Sequence, residues 1–237
     1  MKLDVLTALN FERAARRAAV VVTDVASGEQ RLVKAAETAG DPLDTVLAER
    51  LRSGKSGMVD SAGGRVFLTV YVPAAQLVAI GAVHISQALA PIAKLLGYDV
   101  TIVDPRTAFA SAERFPDVKV IAEWPDKTLP ALGIDHYTAF VALTHDPKID
   151  DPALLYALAR DCFYIGALGS RKTHGRRIDR LRQQGARDID ISRIHAPIGL
   201  DIGAVSPAEI AVAIMAQITE SLHREPQLDR PLVEAVS

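Results

Sequence analysis

The sequence has a single cysteine, Cys162, which excludes an intramolecular disulfide and any zinc or iron–sulfur site built from several cysteines. No apolar run reaches the roughly 18 residues that a membrane-spanning helix needs. Residues 1–17 lack the basic start and following apolar block of a secretion signal. The formal net charge of −2 differs from the large basic excess of proteins that coat nucleic acid. We therefore expect a soluble cytoplasmic protein that contacts neither a membrane nor nucleic acid.

Apolar residues, by contrast, make up 49% of the 237 residues, enough to bury a substantial core. Residues 1–75 are predicted to form a small mixed α+β module that begins with a weak helical pattern. Two hairpins are expected in it, one turning at Ser27-Gly28 and one at Gly63-Gly64. A helix is expected to open at Asp41-Pro42. Pro73 then indicates the domain boundary.

From residue 76 onward, short apolar runs alternate with helical patterns, as in strands that helices cover on both faces. This order favours a Rossmann-like α/β fold, an open, doubly wound parallel sheet, over residues 76–223. A strong helix closes it, with Ser206 as the N-cap, Pro207 first and Glu209 at the third position. Residues 224–237 are predicted to be a loosely held tail.

The first strand of this fold runs into a glycine turn and a helix, the layout of a dinucleotide-binding unit. Gly81 allows the tight turn, and Asp104, 23 residues later, ends the next strand where a carboxylate bonds ribose hydroxyls. Val83 stands where the central glycine of such loops lets a pyrophosphate approach. Three interpretations stay open: a unit that binds NAD poorly, a unit that binds a ligand with one phosphate in a shifted pose, or a glycine that serves packing alone.

Polar residues follow a later strand. Thr144, His145 and Asp146 come directly after the apolar run 140–143, at the carboxyl edge where open α/β sheets bind ligands. His145 and Asp146 could exchange hydrogen bonds or protons with a ligand. The alternative is that Asp146-Pro147 is only a turn and a helix cap, with a solvated histidine.

A second glycine turn ends at Gly169, and Ser170 is the expected cap of a basic helix with six Lys or Arg against one acid. Basic residues in a first turn oppose the helix dipole, so Arg171 and Lys172 predict an anion site. We assign Arg180 and Arg182 to a solvated face of the same helix.

A compact loop, residues 194–203, precedes the last helix. His195 and Asp201 are candidates to line a pocket, although backbone geometry alone could explain the loop's glycines. Cys162 begins an apolar strand and is predicted to be a buried, inert thiol.

These motifs, in this order, resemble those of the XdhC/CoxI family over roughly residues 76–223. The motifs are THDPK at residues 144–148, YIGALGSR at 164–171, HAPIGLDIG at 195–203 and PAEIA at 207–211. Members of the family are accessory proteins for molybdenum hydroxylases such as xanthine dehydrogenase and CO dehydrogenase. Their fold is an N-terminal module followed by a Rossmann-like domain.

The resemblance implies a non-catalytic carrier that binds the molybdenum cofactor, a pterin dithiolene with a terminal phosphate. It would protect the cofactor while a cysteine desulfurase supplies the sulfido ligand, and then insert it into an apo molybdenum hydroxylase. The resemblance also implies a homodimer. We assign no metal-binding residues from the sequence. The N-terminal module lacks a Ser-Gly-Gly-Cys stretch of the longer family pattern; the nearest segment is residues 61–65.

The cofactor would lie across the loops at the carboxyl edge of the sheet, with its phosphate near one of the two glycine turns. The residues expected to bind it are Gly81, Val83, His84, Asp104, Arg106, Thr144, His145, Asp146, Gly166, Gly169, Ser170, Arg171, His195 and Asp201.

Two other functions stay open. The first is an NAD(P)-dependent oxidoreductase in which Asp104 selects the ribose hydroxyl, or Arg106 accepts a 2′-phosphate, and His145 donates a proton. The second is an interaction module with no small-molecule affinity.

Overall fold

The computed structural model describes residues 1–223, and the predicted tail, residues 224–237, lies outside them. The chain divides into two compact units, Met1–Pro73 and a second unit that begins at Ala74. Within residues 1–223, no helix combines the length and the apolar character that a membrane crossing requires.

The first unit is a four-stranded antiparallel sheet with two helices. Its elements are α1 (Leu3–Ala14), β1 (Ala19–Asp24), β2 (Gln30–Lys34), α2 (Asp44–Ser53), β3 (Gly57–Ser61) and β4 (Gly64–Tyr71). The strand order is β2-β1-β4-β3, and the β1–β2 and β3–β4 pairs are the two predicted hairpins.

Alternation along β1 distributes its side chains between two small cores. Val20 and Val22 pack with Leu47 of α2 on one face, and Val21 packs with Leu9 of α1 on the other. Side chains of a strand point alternately to the two sides, so a continuous valine run can serve both helices. The run therefore needs burial on both faces, which α1 and α2 provide.

The second unit confirms the predicted Rossmann-like α/β fold. Its strands are β5 (Gln76–Ile80), β6 (Asp99–Val103), β7 (Lys119–Ile121), β8 (Thr138–Ala142), β9 (Tyr164–Ala167) and β10 (Ile194–His195). Its helices are α3 (His84–Leu95), α4 (Pro125–Thr128), α5 (Pro147–Leu158), α6 (Arg171–Gln183), α7 (Asp188–Ile191) and α8 (Pro207–His223). The strand order is β10-β9-β8-β5-β6-β7, and all neighbouring pairs are parallel.

Helices cover both faces of this sheet. Leu77 of β5 packs in the cluster with Leu89 of α3 and Ile214 of α8, whereas Val78 packs in the cluster with Leu154 of α5. The strand order reverses between β5 and β8, and in open α/β sheets ligands bind at that switch point, outside the carboxyl ends of the strands. In this fold a ligand site is therefore expected at that edge.

Local capping signals account for the last helix. Ser206 Oγ accepts the Glu209 N–H at 3.3 Å, and Glu209 Oε2 accepts the Ser206 N–H at 2.8 Å, which is the capping box that the sequence predicts. In α3, Pro91 lies inside the helix without ending it, and its ring is on the exposed side.

Candidate functional site

Gly81 and Thr144 meet at the switch point between β5 and β8. The φ angle of Gly81 is +114°, and a Cβ added there would lie 2.9 Å from Thr144 Cγ2 and 3.3 Å from the Thr144 backbone nitrogen. Real Cβ atoms essentially never come within 3.0 Å of a neighbour, so this position needs glycine to bring the two strand ends together. The packing role that the sequence left open is therefore sufficient to explain Gly81.

Asp104 lies at the end of β6 and is fully buried, with its carboxylate bonded to the chain itself. Oδ2 accepts the Ala82 N–H at 2.8 Å and Arg106 Nη2 at 2.7 Å, and Oδ1 accepts the Arg106 N–H and Nε, each at 2.9 Å. Burial alone would raise the pKa of Asp104, but the bonds from Arg106 and Ala82 outweigh it and the pKa lies below its ordinary value. The carboxylate expected to bond ribose is thus covered by a guanidinium.

A second arginine fixes the other side of this loop. Arg114 Nη1 donates to the Ala82 carbonyl at 2.9 Å and to the Phe109 carbonyl at 2.8 Å, and Nη2 donates to Gln87 Oε1 at 2.9 Å. Sequence reasoning missed Arg114, which lies 32 residues from Ala82 in a segment without a motif. We call the Ala82–Asp104–Arg106–Arg114 set the loop clasp.

The remaining predicted residues of the first loop have structural positions. Val83 is extended, with φ −100° and ψ 175°, and directly precedes α3, in which His84 is the first residue and is exposed. Ser86 Oγ accepts the Val83 N–H at 3.3 Å and donates to the Gly81 carbonyl. Within the described chain, the loop's N–H groups at residues 81–83 thus all have partners, since Gly81 donates to the Val103 carbonyl.

The end of β8 is organised around a buried carboxylate, Asp150, which the sequence did not single out. Asp150 Oδ1 accepts Thr144 Oγ1 at 2.7 Å and the Thr144 N–H at 3.3 Å, and Oδ2 accepts the His145 N–H at 3.0 Å. His145 has a φ of +63°, which turns its N–H toward Asp150. Burial raises the pKa of Asp150 to about 6, against the hydrogen bonds from Thr144 and the charge of Arg177.

Asp146 caps α5 through its side chain, which accepts the Lys148 N–H at 2.9 Å. This is the turn-and-cap role that the sequence offered as the alternative to ligand contact. His145 is exposed, and its pKa is lowered by desolvation and by the charge of Arg177. Its side chain therefore lies at the surface beside a positive group.

The end of β9 turns at Gly169, whose φ is +137°, and Ser170 caps α6 as predicted by accepting the Thr173 N–H at 3.2 Å. Arg171 and the next residue are exposed. Arg177, two turns into α6, is instead 2% exposed, and its Nη2 donates to the Leu168 carbonyl at 2.7 Å.

Arg177 Nε and Nη1 are buried and have no hydrogen-bond partner among residues 1–223. Desolvation lowers the pKa of Arg177, while the charges of Asp150 and Asp151 oppose that shift. Buried side-chain donors in proteins are nearly always bonded, so two free ones on a single guanidinium indicate a missing partner. In the sequence, Arg177 is only one of six basic residues in the run, because no feature of the neighbouring residues predicts that it is buried.

Arg177 is one of the residues that line a cavity of about 250 Å³ between α5 and α6. Its lining residues are His145, Pro147, Asp150, Asp151, Thr173, Arg176, Arg177 and Arg180. Arg180 Nε donates to Asp151 Oδ2 at 2.5 Å, and Nη2 donates to Oδ1 at 3.1 Å. The prediction of a solvated Arg180 was therefore wrong, because the α5–α6 packing brings a buried Asp151 to it.

The predicted loop of residues 194–203 takes its shape from packing against α8. The His195 ring stacks on the Tyr164 ring at 4.7 Å, and a Cβ at Gly166 would lie 2.6 Å from Ile198 Cδ1. Gln217 Oε1 accepts the Gly199 N–H at 2.8 Å and the Tyr164 hydroxyl at 2.6 Å. Neither His195 nor the exposed Asp201 lines the Arg177 cavity.

The thiol lies away from solvent. Cys162 is 6% exposed, as the sequence predicts, and burial raises the pKa of its thiol to about 12. Within residues 1–223, no group of three or more His, Cys, Asp or Glu side chains could hold a metal ion.

A family model described as "XdhC Rossmann domain" matches residues 77–218. Two similar proteins come from Escherichia coli (strain K12). YqeB, described as uncharacterized, is 31% identical over 74% of this chain and 33% of its own length. The "Molybdenum cofactor insertion chaperone PaoD" is 31% identical over 65% of this chain and 42% of its own length. A relative from Bacillus subtilis (strain 168), named as a probable xanthine dehydrogenase subunit, is 28% identical over 67% of this chain and 46% of its own length.

The chain thus spans about a third to a half of the length of these curated relatives. A crystal structure of a protein named as a xanthine dehydrogenase from Bacillus halodurans superposes with a TM-score of 0.66. The match covers 95% of this chain and 66% of that one at 22% identity, which shows a shared fold.

Proposed function

Because the chain belongs to the XdhC family, whose Rossmann domain it contains, we propose that it serves the maturation of molybdenum hydroxylases of the xanthine dehydrogenase or CO dehydrogenase type. In this proposal it binds the molybdenum cofactor as cargo, protects it during sulfuration and inserts it into the apo-hydroxylase. It acts as a carrier rather than as an enzyme. A cysteine desulfurase and a second copy of the chain are its further proposed partners.

The observation that carries this proposal is the contrast between the two glycine turns of the sheet edge. At the first turn, Asp104 holds the Ala82 N–H at 2.8 Å and is itself covered by Arg106, so the loop clasp fills the place of a dinucleotide phosphate and ribose. Near the second turn, at Gly169, Arg177 lines a cavity, and two of its donors have no partner among residues 1–223. The edge therefore favours a ligand other than an ordinary dinucleotide.

The chemistry of the side chains supports a carrier. Desolvation and the charge of Arg177 lower the pKa of His145, which disfavours the protonated ring that an oxidoreductase would use as a proton donor. The Cys162 thiol is buried, so the sulfur for the cofactor would come from a partner. In our proposal the pterin lies over the switch point, in reach of Thr144, His145 and Asp146.

An anaerobic calorimetric titration tests this function, with the molybdenum cofactor and NADH as parallel titrants of the whole chain. We expect saturable cofactor binding and no NADH binding, and we expect the loaded chain to activate a purified apo-hydroxylase faster than free cofactor does. Saturable binding of NADH alone would instead support the oxidoreductase. Absence of binding to both would support the interaction module.

A further inference from the structure

Arg177, near the carboxyl edge of the sheet, has two buried donors for which the described chain provides no hydrogen-bond acceptor. We propose that the cavity beside Arg177 is a phosphomonoester site, and that it, rather than the loop at Gly81, holds the terminal phosphate of the cargo. This inference rests on the proposed function for the identity of the cargo. The site itself is argued from the residues around the cavity.

Two donors of the Arg177 guanidinium have no partner among residues 1–223. Arg177 is 2% exposed and its Nη2 is anchored to the Leu168 carbonyl, so the side chain cannot swing out to water without breaking that bond. Nε and Nη1 stay without partners in the described chain. A guanidinium carries only donors and keeps its charge, so the group that completes it is an acceptor, and an anion compensates the charge as well.

The two carboxylates that line the cavity accept hydrogen bonds from other residues. Both oxygens of Asp150 accept hydrogen bonds from Thr144 and His145, and both oxygens of Asp151 accept bonds from Arg180. Within the described chain, neither carboxylate bonds Nε or Nη1 of Arg177. The cavity wall also includes Arg176, which adds a further positive charge.

The N-terminal turn of α6 also contributes to the cavity. This helix of 13 residues has no acidic residue in its first turn, and Thr173 of that turn lines the cavity. The N-terminus of a helix is the positive end of its dipole and stabilises anions. The dipole and the Arg177 charge thus favour the same kind of ligand.

The volume of the cavity limits which part of the ligand can enter it. Pockets that hold a whole drug-sized ligand or cofactor are about 300–1,000 Å³, whereas this cavity is about 250 Å³. A phosphate group fits such a space, and the rest of the cofactor would extend from it over Thr144 and His145. The loop clasp removes the competing site at Gly81, because the Ala82 N–H is already bonded to Asp104.

The test compares cargo with and without its phosphate on matched arginine variants of the whole chain. Arg177→Met removes the guanidinium and keeps a long apolar side chain, and Arg182→Met is the control, since Arg182 lies on the same helix but is exposed and paired with Asp188. The titrants are the molybdenum cofactor, the cofactor dephosphorylated by a phosphatase, and inorganic phosphate. Circular dichroism checks that each variant is folded.

We expect Arg177→Met to weaken binding of the phosphorylated cofactor on the order of 10- to 100-fold, as for loss of a charge-assisted hydrogen bond, and Arg182→Met to leave it unchanged. The dephosphorylated cofactor should bind the wild type and Arg177→Met equally. If both forms bind the wild type equally, the phosphate does not occupy a site, and the inference is wrong while the carrier function stands.

A measurement without mutation covers the case in which Arg177→Met does not fold. Addition of inorganic phosphate to the wild type should shift the Arg177 Nε–H resonance in a ¹⁵N–¹H NMR spectrum, with saturation. An unchanged resonance would overturn the site even if the cofactor binds elsewhere. Failure of the cofactor to bind, together with a saturable phosphate shift, would reject the proposed function and keep the anion site.

Discussion

Replacement of Gly81 by alanine measures how tightly the two strand ends meet at the switch point. The backbone at Gly81 has a φ of +114°, which strains an alanine by about 1–3 kcal/mol. Its Cβ would lie 2.9 Å from Thr144 Cγ2, and overpacking of this kind costs a further ~1–3 kcal/mol. We therefore expect Gly81→Ala to lower the free energy of unfolding by about 2–6 kcal/mol.

A second substitution separates the two contributions. Thr144→Ser removes the Cγ2 methyl that the new Cβ would meet, but it keeps the hydroxyl that donates to Asp150 at 2.7 Å. In the double variant the 2.9 Å contact should disappear, while the backbone strain and the 3.3 Å approach to the Thr144 backbone nitrogen remain. The coupling energy between the two sites is then about 1–3 kcal/mol in favour of the double variant.

Urea unfolding of the four proteins gives these quantities. The single tryptophan, Trp124, directly precedes α4 in the second unit, so its fluorescence reports on the unit that contains Gly81. Circular dichroism at 222 nm serves as an independent probe. Loss of less than about 0.5 kcal/mol in Gly81→Ala, or a coupling energy near zero, would refute the close approach of Gly81 and Thr144.

Three further predictions concern single sites. Gly175 is exposed in the middle of α6, and an added Cβ would meet nothing within 4 Å, so Gly175→Ala should stabilise the chain by about 0.5–1 kcal/mol. Gly166→Ala should destabilise the chain, because its Cβ would lie 2.6 Å from Ile198. If both variants melt at the wild-type temperature, both expectations are contradicted. Burial raises the pKa of the Cys162 thiol to about 12, so at pH 8 it should react with a disulfide reagent roughly a thousandfold more slowly in the folded than in the unfolded chain. Rapid labelling of the folded chain would show that the thiol is accessible and would contradict its burial. The pKa of Asp150 rises from 3.8 to about 6 on folding, so this carboxyl contributes about 3 kcal/mol of stability below pH 4 that is lost as the pH rises through 6. The side chain of Asp150→Asn stays neutral, so the stability of this variant relative to the wild type should rise between pH 4 and 7. A difference in urea midpoints that stays constant with pH would reject the pKa shift.

Features that depend on neighbouring residues in the chain were predictable from the sequence. The capping box of Ser206 and Glu209 needs only four residues, and the alternation of strands and helices follows from the apolar runs. Ser170 as the cap of α6 is a signal of the same kind. Such local signals place the elements in a parallel sheet, and the sheet then places the loops at one edge.

The candidate site depends on contacts that no local pattern contains. Arg177 and Arg180 stand in one basic run, yet Arg177 is buried beside the cavity and Arg180 is paired with Asp151, 29 residues away. Asp104 ends its strand as expected, but its carboxylate turns inward to the Ala82 N–H. In each case the partner comes from another element, so the role is decided by packing after the elements have formed.

The burial of Cys162 has a consequence for handling and for chemistry. This stretch of chain contains one thiol, and that thiol is 6% exposed with its Sγ 3.9 Å from the Ala157 carbonyl. The folded chain therefore offers no accessible thiol with which a persulfide donor or a dithiolene could form a mixed disulfide. Oxidation of this thiol in air should also be slow while the chain is folded.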